Sequence, residues 1–150
     1  MSNVDQLVKK MGYFIGLIEY AKTEFIKDCV PEDLTPLQYK MIDATCYEGY
    51  TTVSRLTRIM DMSMPNCSRE VNKLIKKGYF IKKADPDDKR KQRIHLTEVG
   101  HQNHRQSIEK IHTNMKGLLS TLPQEDVDTM VNCFEDINKI FKDHVSDLLK

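Results

Sequence analysis

The chain has only four cysteines, Cys29, Cys46, Cys67 and Cys133, and no two form a CxxC pair. That spacing excludes a zinc ribbon and a thioredoxin-like redox motif. No apolar run approaches the length of a membrane span. The first residues, Met1-Ser2-Asn3-Val4-Asp5, lack the basic start and apolar core of a signal peptide. A reducing cytoplasm is therefore the expected compartment. Chemistry-bearing constellations are missing too. There is no nucleophile–base pair, no paired-carboxylate site, no Gly-rich phosphate loop and no dense metal cluster, so neither an enzyme nor a cofactor is expected.

Net charge is also scarce: 23 Lys/Arg against 22 Asp/Glu leave +1 over 150 residues. Total charge says nothing about nucleic acid, but its distribution does. Ser63 to His95 holds ten Lys/Arg and four acids, a local +6, while the remainder has 13 basic and 18 acidic residues, or −5. A basic centre on an acidic chain suggests a local footprint for a polyanion. The length fits one domain, or one core with an added oligomerisation element.

Apolar spacing organises the rest. Leu7, Met11, Phe14, Ile18, Ala21 and Phe25 recur at 4, 3, 4, 3, 4, one seam on one helix, ending near Asp28-Cys29-Val30-Pro31. Thr35 predicts an N-cap, with Pro36 at the first helical position and Gln38 completing a capping box. Leu37, Met41, Ile42 and Thr45 form that helix's inner face, and Gly49 supplies a left-handed stop. Two short helices follow. Thr51 or Thr52 starts the first, with Val53, Leu56, Ile59 and Met60 inward. Asp61-Met62 turn the chain. Ser63 caps the second, with Pro65 in its first turn, Cys67, Val71, Leu74 and Ile75 on one face, and Gly78 at its end.

Tyr79 to Lys83 is rich in β-formers, Asp85 to Lys89 is a turn, and Gln92 to Leu96 alternates with Ile94 and Leu96 on one side. This predicts a two-stranded hairpin, which must lean on the helices to be stable. From Thr97 the chain is helical again, with Ile108, Ile111, Met115, Leu118 and Leu122 as one stripe. After Pro123 a last helix carries Val127, Met130, Phe134, Ile137, Phe141, Val145 and Leu148. A larger single core would use these terminal stripes. A dimer in which they pack across a two-fold axis is the preferred reading.

The order of helix, turn, capped helix, Gly stop and basic hairpin is that of a winged helix-turn-helix. An α-helix fits the major groove, and the side chains near its start reach base edges. Met64, Pro65, Asn66, Ser68 and Arg69 occupy that position, while Lys73 and Lys76 lie where only phosphates are in reach. Helix N-termini at Thr51-Thr52 and Ser63 offer backbone N–H groups to phosphate. Arg90, at the hairpin tip, suits a narrow minor groove. Asp88 is placed to pair with an arginine and fix the tip, and Lys89, Lys91 and Arg93 add phosphate contacts.

Asp88-x-Arg90 followed by Leu96-Thr97-x-x-Gly100 resembles the MarR family of bacterial transcription regulators, over about Leu7 to Leu148 and most specifically over Gly78 to Gly100. The resemblance implies a mainly α fold with a small β-hairpin wing, joined to an interwoven helical dimerisation region. On that reading 1–150 is a single MarR-type domain, with the DNA-binding lobe at 33–100 and dimerisation helices at 1–32 and 101–150. It implies a homodimer on a pseudo-palindromic operator, usually a repressor, released by a small phenolic or lipophilic molecule, a metal or an oxidant. Ser63 to Lys77 would be the recognition helix, Arg90 the minor-groove arginine and Asp88 its partner. Asp87 stands where the family often has arginine, and Met64 and Cys67 are less usual in the recognition helix. The alternative is a winged-helix protein-interaction module without specific DNA binding. The basic segment argues against it, because interface cores are depleted of lysine.

Three effector chemistries compete. Family peroxide sensors carry a cysteine early in the first helix, which this chain lacks. Cys67 sits on the recognition helix but on its inner face, where thiols are usually inert. His101, His104 and His112 share a helix without the spacing of a strong metal site, so solvated histidines are expected and no metal. For a small apolar ligand, a cleft between the dimer region and the DNA-binding lobe would be lined by Tyr13, Phe14, Leu17, Tyr20, Met41 and Tyr47.

Overall fold

The computed structural model describes residues 2–26 and 28–144. Its elements are α1 (Asn3–Ile26), α2 (Pro36–Glu48), α3 (Val53–Met60), α4 (Met64–Lys76), β1 (Phe80–Ala84), β2 (Gln92–Leu96), α5 (Glu98–Leu119) and α6 (Gln124–His144). The mainly α architecture with one small hairpin agrees with the sequence. Val145 and Leu148, assigned to the last apolar stripe, lie outside the described residues. The chain forms two compact units, Met1–Ile111 and His112–Lys150. The division falls inside α5, beyond the residue 100 expected as the end of the DNA-binding lobe, and Gly100 and Ser107 are buried.

Local chemistry explains most boundaries. At α2 the Gln38 N–H donates to Thr35 Oγ1 at 3.2 Å, and the Thr35 N–H donates back to Gln38 Oε1 at 3.3 Å. Pro36 needs no hydrogen-bond partner at the first helical position. Gly49, at φ +74°, ends the helix in a region that costs other residues strain. Thr52 caps α3 by accepting the Arg55 N–H at 3.1 Å. Asp61 then takes a left-handed conformation, φ 49° and ψ 53°, which a short polar side chain tolerates. Ser63 does stand at the N-cap of α4, but its side chain makes no capping bond. Pro65, two residues on, has removed one of the two N–H groups such a hydroxyl would take.

The exit of α4 is a Schellman turn. The Gly78 N–H bonds to the Ile75 carbonyl at 3.0 Å and the Tyr79 N–H to the Leu74 carbonyl at 2.9 Å. That second bond draws Tyr79 into the helix exit, so β1 begins at Phe80, one residue later than the sequence suggested. β1 and β2 pair antiparallel, from Phe80 opposite Leu96 to Ala84 opposite Gln92. Thr51 adds one more rung: its N–H donates to the Ile94 carbonyl at 2.9 Å, and Ile94 returns the bond at 2.8 Å.

The core of the first unit joins Leu34, Tyr39, Met41, Ile42, Leu56, Cys67, Val71, Leu74, Tyr79, Phe80, Ile94 and Leu96. It draws on α2, α3, α4 and both strands, so the hairpin is held by the helices it follows. Ile59, expected to point inward, is exposed. At 100° per residue, Val53 and Met60 fall on one flank of the buried Leu56 and Ile59 falls on the other. In α1 no residue is buried: of its stripe Leu7, Met11, Phe14 and Ile18 are exposed, while Ala21 and Phe25 are half-buried.

The Leu-Thr-x-x-Gly segment is a joint between wing and helix. The Thr97 hydroxyl donates to the Gly78 carbonyl and accepts the Gly100 N–H at 3.0 Å. The Thr97 N–H reaches the Tyr79 carbonyl at 3.0 Å. A Cβ on Gly100 would stand 2.5 Å from that same carbonyl oxygen, and Leu96 closes the other side at 3.1 Å. Backbone oxygen cannot yield as a side-chain tip does. Gly100→Ala is therefore expected to destabilise the protein by about 1–3 kcal/mol, as overpacking does, read from the midpoint of urea unfolding.

Candidate nucleic-acid interface

α4 is two-faced. Cys67, Val71 and Leu74 are buried, whereas Ser63, Met64, Pro65, Asn66 and Arg69 are exposed and Ser68 is half-buried. The base-reading candidates thus share the accessible first half of the helix. Lys73 and Lys76 are exposed further along. Lys73 Nζ donates to Glu70 Oε1 at 2.6 Å, and Glu70 Oε2 accepts from Gln38 Nε2 at 2.8 Å. Lys73 foremost, then Gln38, hold the Glu70 carboxyl below its usual range. Gln38 Oε1 also accepts from Lys77 Nζ at 2.9 Å, so one buried amide ties the middle and the C-cap of α4 to α2.

The loop between the strands is ordered by two carboxylates. Asp85 Oδ1 accepts the N–H groups of Asp87 at 2.9 Å and Asp88 at 3.1 Å. Asp88 Oδ1 accepts the Arg90 N–H at 3.1 Å and pairs with Arg90 Nε at 3.4 Å. That is the pairing proposed from the Asp-x-Arg spacing. The Arg90 side chain is nonetheless 94% exposed. Lys89 and Lys91 are exposed beside it, with Lys91 Nζ 3.9 Å from Asp88.

Two of the expected DNA-contact residues are placed otherwise. Thr51 is buried, and its N–H is spent on Ile94, so only Thr52 remains at the accessible start of α3. Arg93 faces inward across the wing's base. Its Nε lies 2.6 Å from Asp85 Oδ2, and its guanidinium carbon sits 4.2 Å over the Tyr50 ring. Its side chain is 21% exposed, unlike that of Arg90. Asp85 keeps its carboxyl low chiefly through Arg93. The sequence reading missed Tyr50, Gln38 and Glu70 as supports. Arg58 in the last turn of α3 and Lys82 and Lys83 on β1 are exposed basic residues that it did not include; alternation from the inward Phe80 signals Lys83 but not Lys82. Lys82 Nζ reaches Asn72 of α4 at 3.2 Å.

The ligand-lining residues do not gather. Met41 is fully buried in the core. Tyr13, Phe14, Leu17 and Tyr20 are exposed on α1, and Tyr47 on α2 is 82% exposed. A tight crevice in the first unit is lined instead by Pro31, Leu34, Tyr39, Ile42, Tyr79, Asn103, His104 and Ser107. There His104 Nε2 lies 2.8 Å from Asp43 Oδ1, and its ring stacks on Tyr39. Burial drives the Tyr39 hydroxyl up to about 12, and burial followed by Asp33 does the same for Tyr79. Among the described residues no three His, Cys, Asp or Glu side chains converge as a metal site. Burial pushes the Cys67 thiol up, which makes it a poor nucleophile. No described helix is long and apolar enough to cross a membrane.

A helix-turn-helix whose second helix is followed by a hairpin packed on the same core is a winged helix. Residues 32–91 match the model of the MarR family. The fold is similar to that of the YusO protein from Bacillus subtilis, which is 16% identical, with a TM-score of 0.64 over 93% of this chain and 99% of that one. It is also similar to wild-type MarR in its apo form from E. coli, 20% identical, with a TM-score of 0.68 over 84% of this chain and 95% of that one. The transcriptional regulator BldR from Sulfolobus solfataricus is 20% identical, with a TM-score of 0.62 over 93% of this chain and 99% of that one. A comparison with curated proteins gives no match. The fold is that of a winged helix-turn-helix protein, and over residues 32–91 the chain is similar to the MarR family.

His95 reports on the wing's base. Its ring centroid is 5.7 Å from that of Tyr50, and burial first, then Lys83 and Arg93, depress its pKa below 6.5. A depressed imidazole is disfavoured in its charged form, so the folded state loses stability as pH falls through about 6.5. NMR titration of the His95 ring should give a midpoint below 6.5. A midpoint at or above that value would contradict the arrangement.

Proposed function

We propose that this protein is a sequence-specific DNA-binding transcriptional regulator. It acts as a homodimer on a pseudo-palindromic operator, as a cytoplasmic repressor that a small effector releases. The observation that carries the reading is the division of α4. Its apolar side is consumed by the core, while Met64, Asn66 and Arg69 are left accessible at its start, next in sequence to a wing whose Arg90 is exposed and held by Asp88. Asn66 and Arg69 are the types that fork onto adenine and guanine in the major groove. Thr52, Ser63, Met64, Pro65, Ser68, Lys73, Lys76, Asp88, Lys89, Arg90 and Lys91 complete the proposed contact surface.

The dimer has its own support. α1 exposes Leu7, Met11, Phe14 and Ile18, and α6 exposes Met130, Phe134, Ile137 and Phe141. These are the spacings of packed seams, and apolar stripes of that length mark surfaces that another chain covers. A two-fold dimer presents two recognition helices to half-sites about one helical turn apart. An effector that changes their separation lowers operator affinity.

Binding to the DNA upstream of the protein's own gene, followed by fluorescence anisotropy across a salt series with random DNA as competitor, tests the reading. Tight, competitor-resistant binding that weakens with salt is expected. Arg90→Ala should weaken binding to many sequences and lower the salt slope by about 1. Arg69→Ala should relax preference at one position, at a cost of about 1–3 kcal/mol. Unchanged affinity in both variants overturns the assignment. Ile18→Asp combined with Ile137→Asp should convert a dimer to a monomer in light scattering and abolish tight operator binding; a dimer that survives both changes refutes the proposed seam.

A further inference from the structure

We propose that Arg93 is a positioning residue. With Asp85 and Tyr50 it forms a clamp that fixes the wing on the helix-turn-helix and so sets where Arg90 meets DNA. This rests on the DNA-binding reading above. It departs from the phosphate-contact role that the basic run at 89–93 suggests.

Tyr50-Thr51 and Arg93-Ile94 are two adjacent pairs that face each other. The Thr51 and Ile94 backbones exchange two hydrogen bonds, at 2.9 and 2.8 Å. The neighbouring Arg93 lays its guanidinium over the Tyr50 ring, 4.2 Å from the centroid. A cation over an aromatic face is attracted by the ring quadrupole, and more so where water is partly excluded. The same guanidinium gives Nε to Asp85 Oδ2 at 2.6 Å and stands 3.8 Å from Asp87. Asp85 is the hub of the tip, because its other oxygen accepts the Asp87 and Asp88 N–H groups. Asp88 in turn holds Arg90. A continuous chain of contacts therefore runs from the α2–α3 turn to the exposed arginine.

Without the clamp, two backbone bonds hold the loop from Asp85 to Lys91, from the Asp85 N–H to the Lys91 carbonyl at 3.0 Å and from the Lys91 N–H to the Asp88 carbonyl at 2.8 Å. A tip that is loose in the free protein must be ordered on binding, which costs affinity. Arg93 itself is turned away from solvent and already neutralised. Its removal should not release a DNA counterion.

The test compares Arg93→Ala, Tyr50→Leu and Tyr50→Phe with Arg90→Ala in the full-length protein. Anisotropy over a salt series is measured alongside hydrogen exchange of the Asp87 and Asp88 amides, with thermal unfolding as the check on folding. Arg93→Ala should bind the operator about two- to tenfold more weakly, as expected when one or two side chains must be immobilised on binding, with the salt slope unchanged. Arg90→Ala should lower that slope by about 1. Tyr50→Leu should reproduce the Arg93→Ala phenotype, and Tyr50→Phe, which keeps the ring face, should bind like the parent. The Asp87 and Asp88 amides should exchange faster in Arg93→Ala and Tyr50→Leu only. A slope lowered by about 1 in Arg93→Ala makes Arg93 a phosphate ligand and overturns the proposal, as does amide exchange that does not change. Absence of salt-dependent DNA binding in the parent protein overturns the functional reading and the DNA role of the clamp together. The exchange data then still decide whether Arg93 orders the tip.

Discussion

The paired backbone bonds between Thr51 and Ile94 are the constraint on which the rest depends. A two-stranded hairpin is marginal in water. Here β2 is paired on one side with β1 and pinned on the other by a single residue in the turn before α3. That rung places Ile94 inside the core, where it is fully buried with Leu56 and Val71. The wing is thereby built into the same packed unit as α4. A shift of one residue in register would take Ile94 and Leu96 out of the core and put Arg93 and His95 in their place, which the core does not permit.

Charge is arranged with the same economy. The basic centre counted from sequence is not a field of equivalent cations. Lys73 is engaged by Glu70, Lys77 by Gln38 and the Asp33 carbonyl, and Arg93 by Asp85. The first pair lies within α4, the second ties the exit of α4 to α2, and the third lies within the wing. Arg90 is paired as well, but at the tip and almost wholly in solvent, where such a pair is worth little, so on the proposed function it could be exchanged for phosphate or a groove edge. The acids at Asp85 and Asp88 are thus scaffolding for the cations that matter.

Features fixed by neighbours in sequence were legible. The Thr35–Gln38 capping box, Gly49, the Gly78 exit and the span of β2 each depend on residues within a turn of one another, and each stands as read. The Asp88–Arg90 pair, two residues apart, was legible for the same reason. What was not legible needed distant partners. Gln38 with Glu70, and Tyr50 over Arg93, join segments whose approach only the tertiary fold decides. Met41 has the chemistry of a ligand-site residue, but the core took it. The Ser63 cap failed on a local conflict, because Pro65 had already removed a donor from the first turn. An apolar stripe likewise shows that a face is to be covered, without saying by what.

α1 sharpens that last point. It runs for 24 residues, contains Gly12 and Gly16, and buries no side chain among the described residues. Glycine costs about 1 kcal/mol each in a helix interior relative to alanine, and most helical stability in proteins comes from packing of an amphipathic face rather than from propensity. Propensity therefore does not hold this helix in place. Burial of Leu7, Met11, Phe14 and Ile18 can, and in the single chain those residues remain exposed. In the proposed dimer, folding of α1 and assembly would be one equilibrium that depends on protein concentration. The wing and recognition helix, by contrast, are secured within one chain. On the proposed function, regulation through spacing would ask for that division: a DNA-reading unit fixed by its own core, carried on helices whose arrangement a partner would set and so leave open to adjustment.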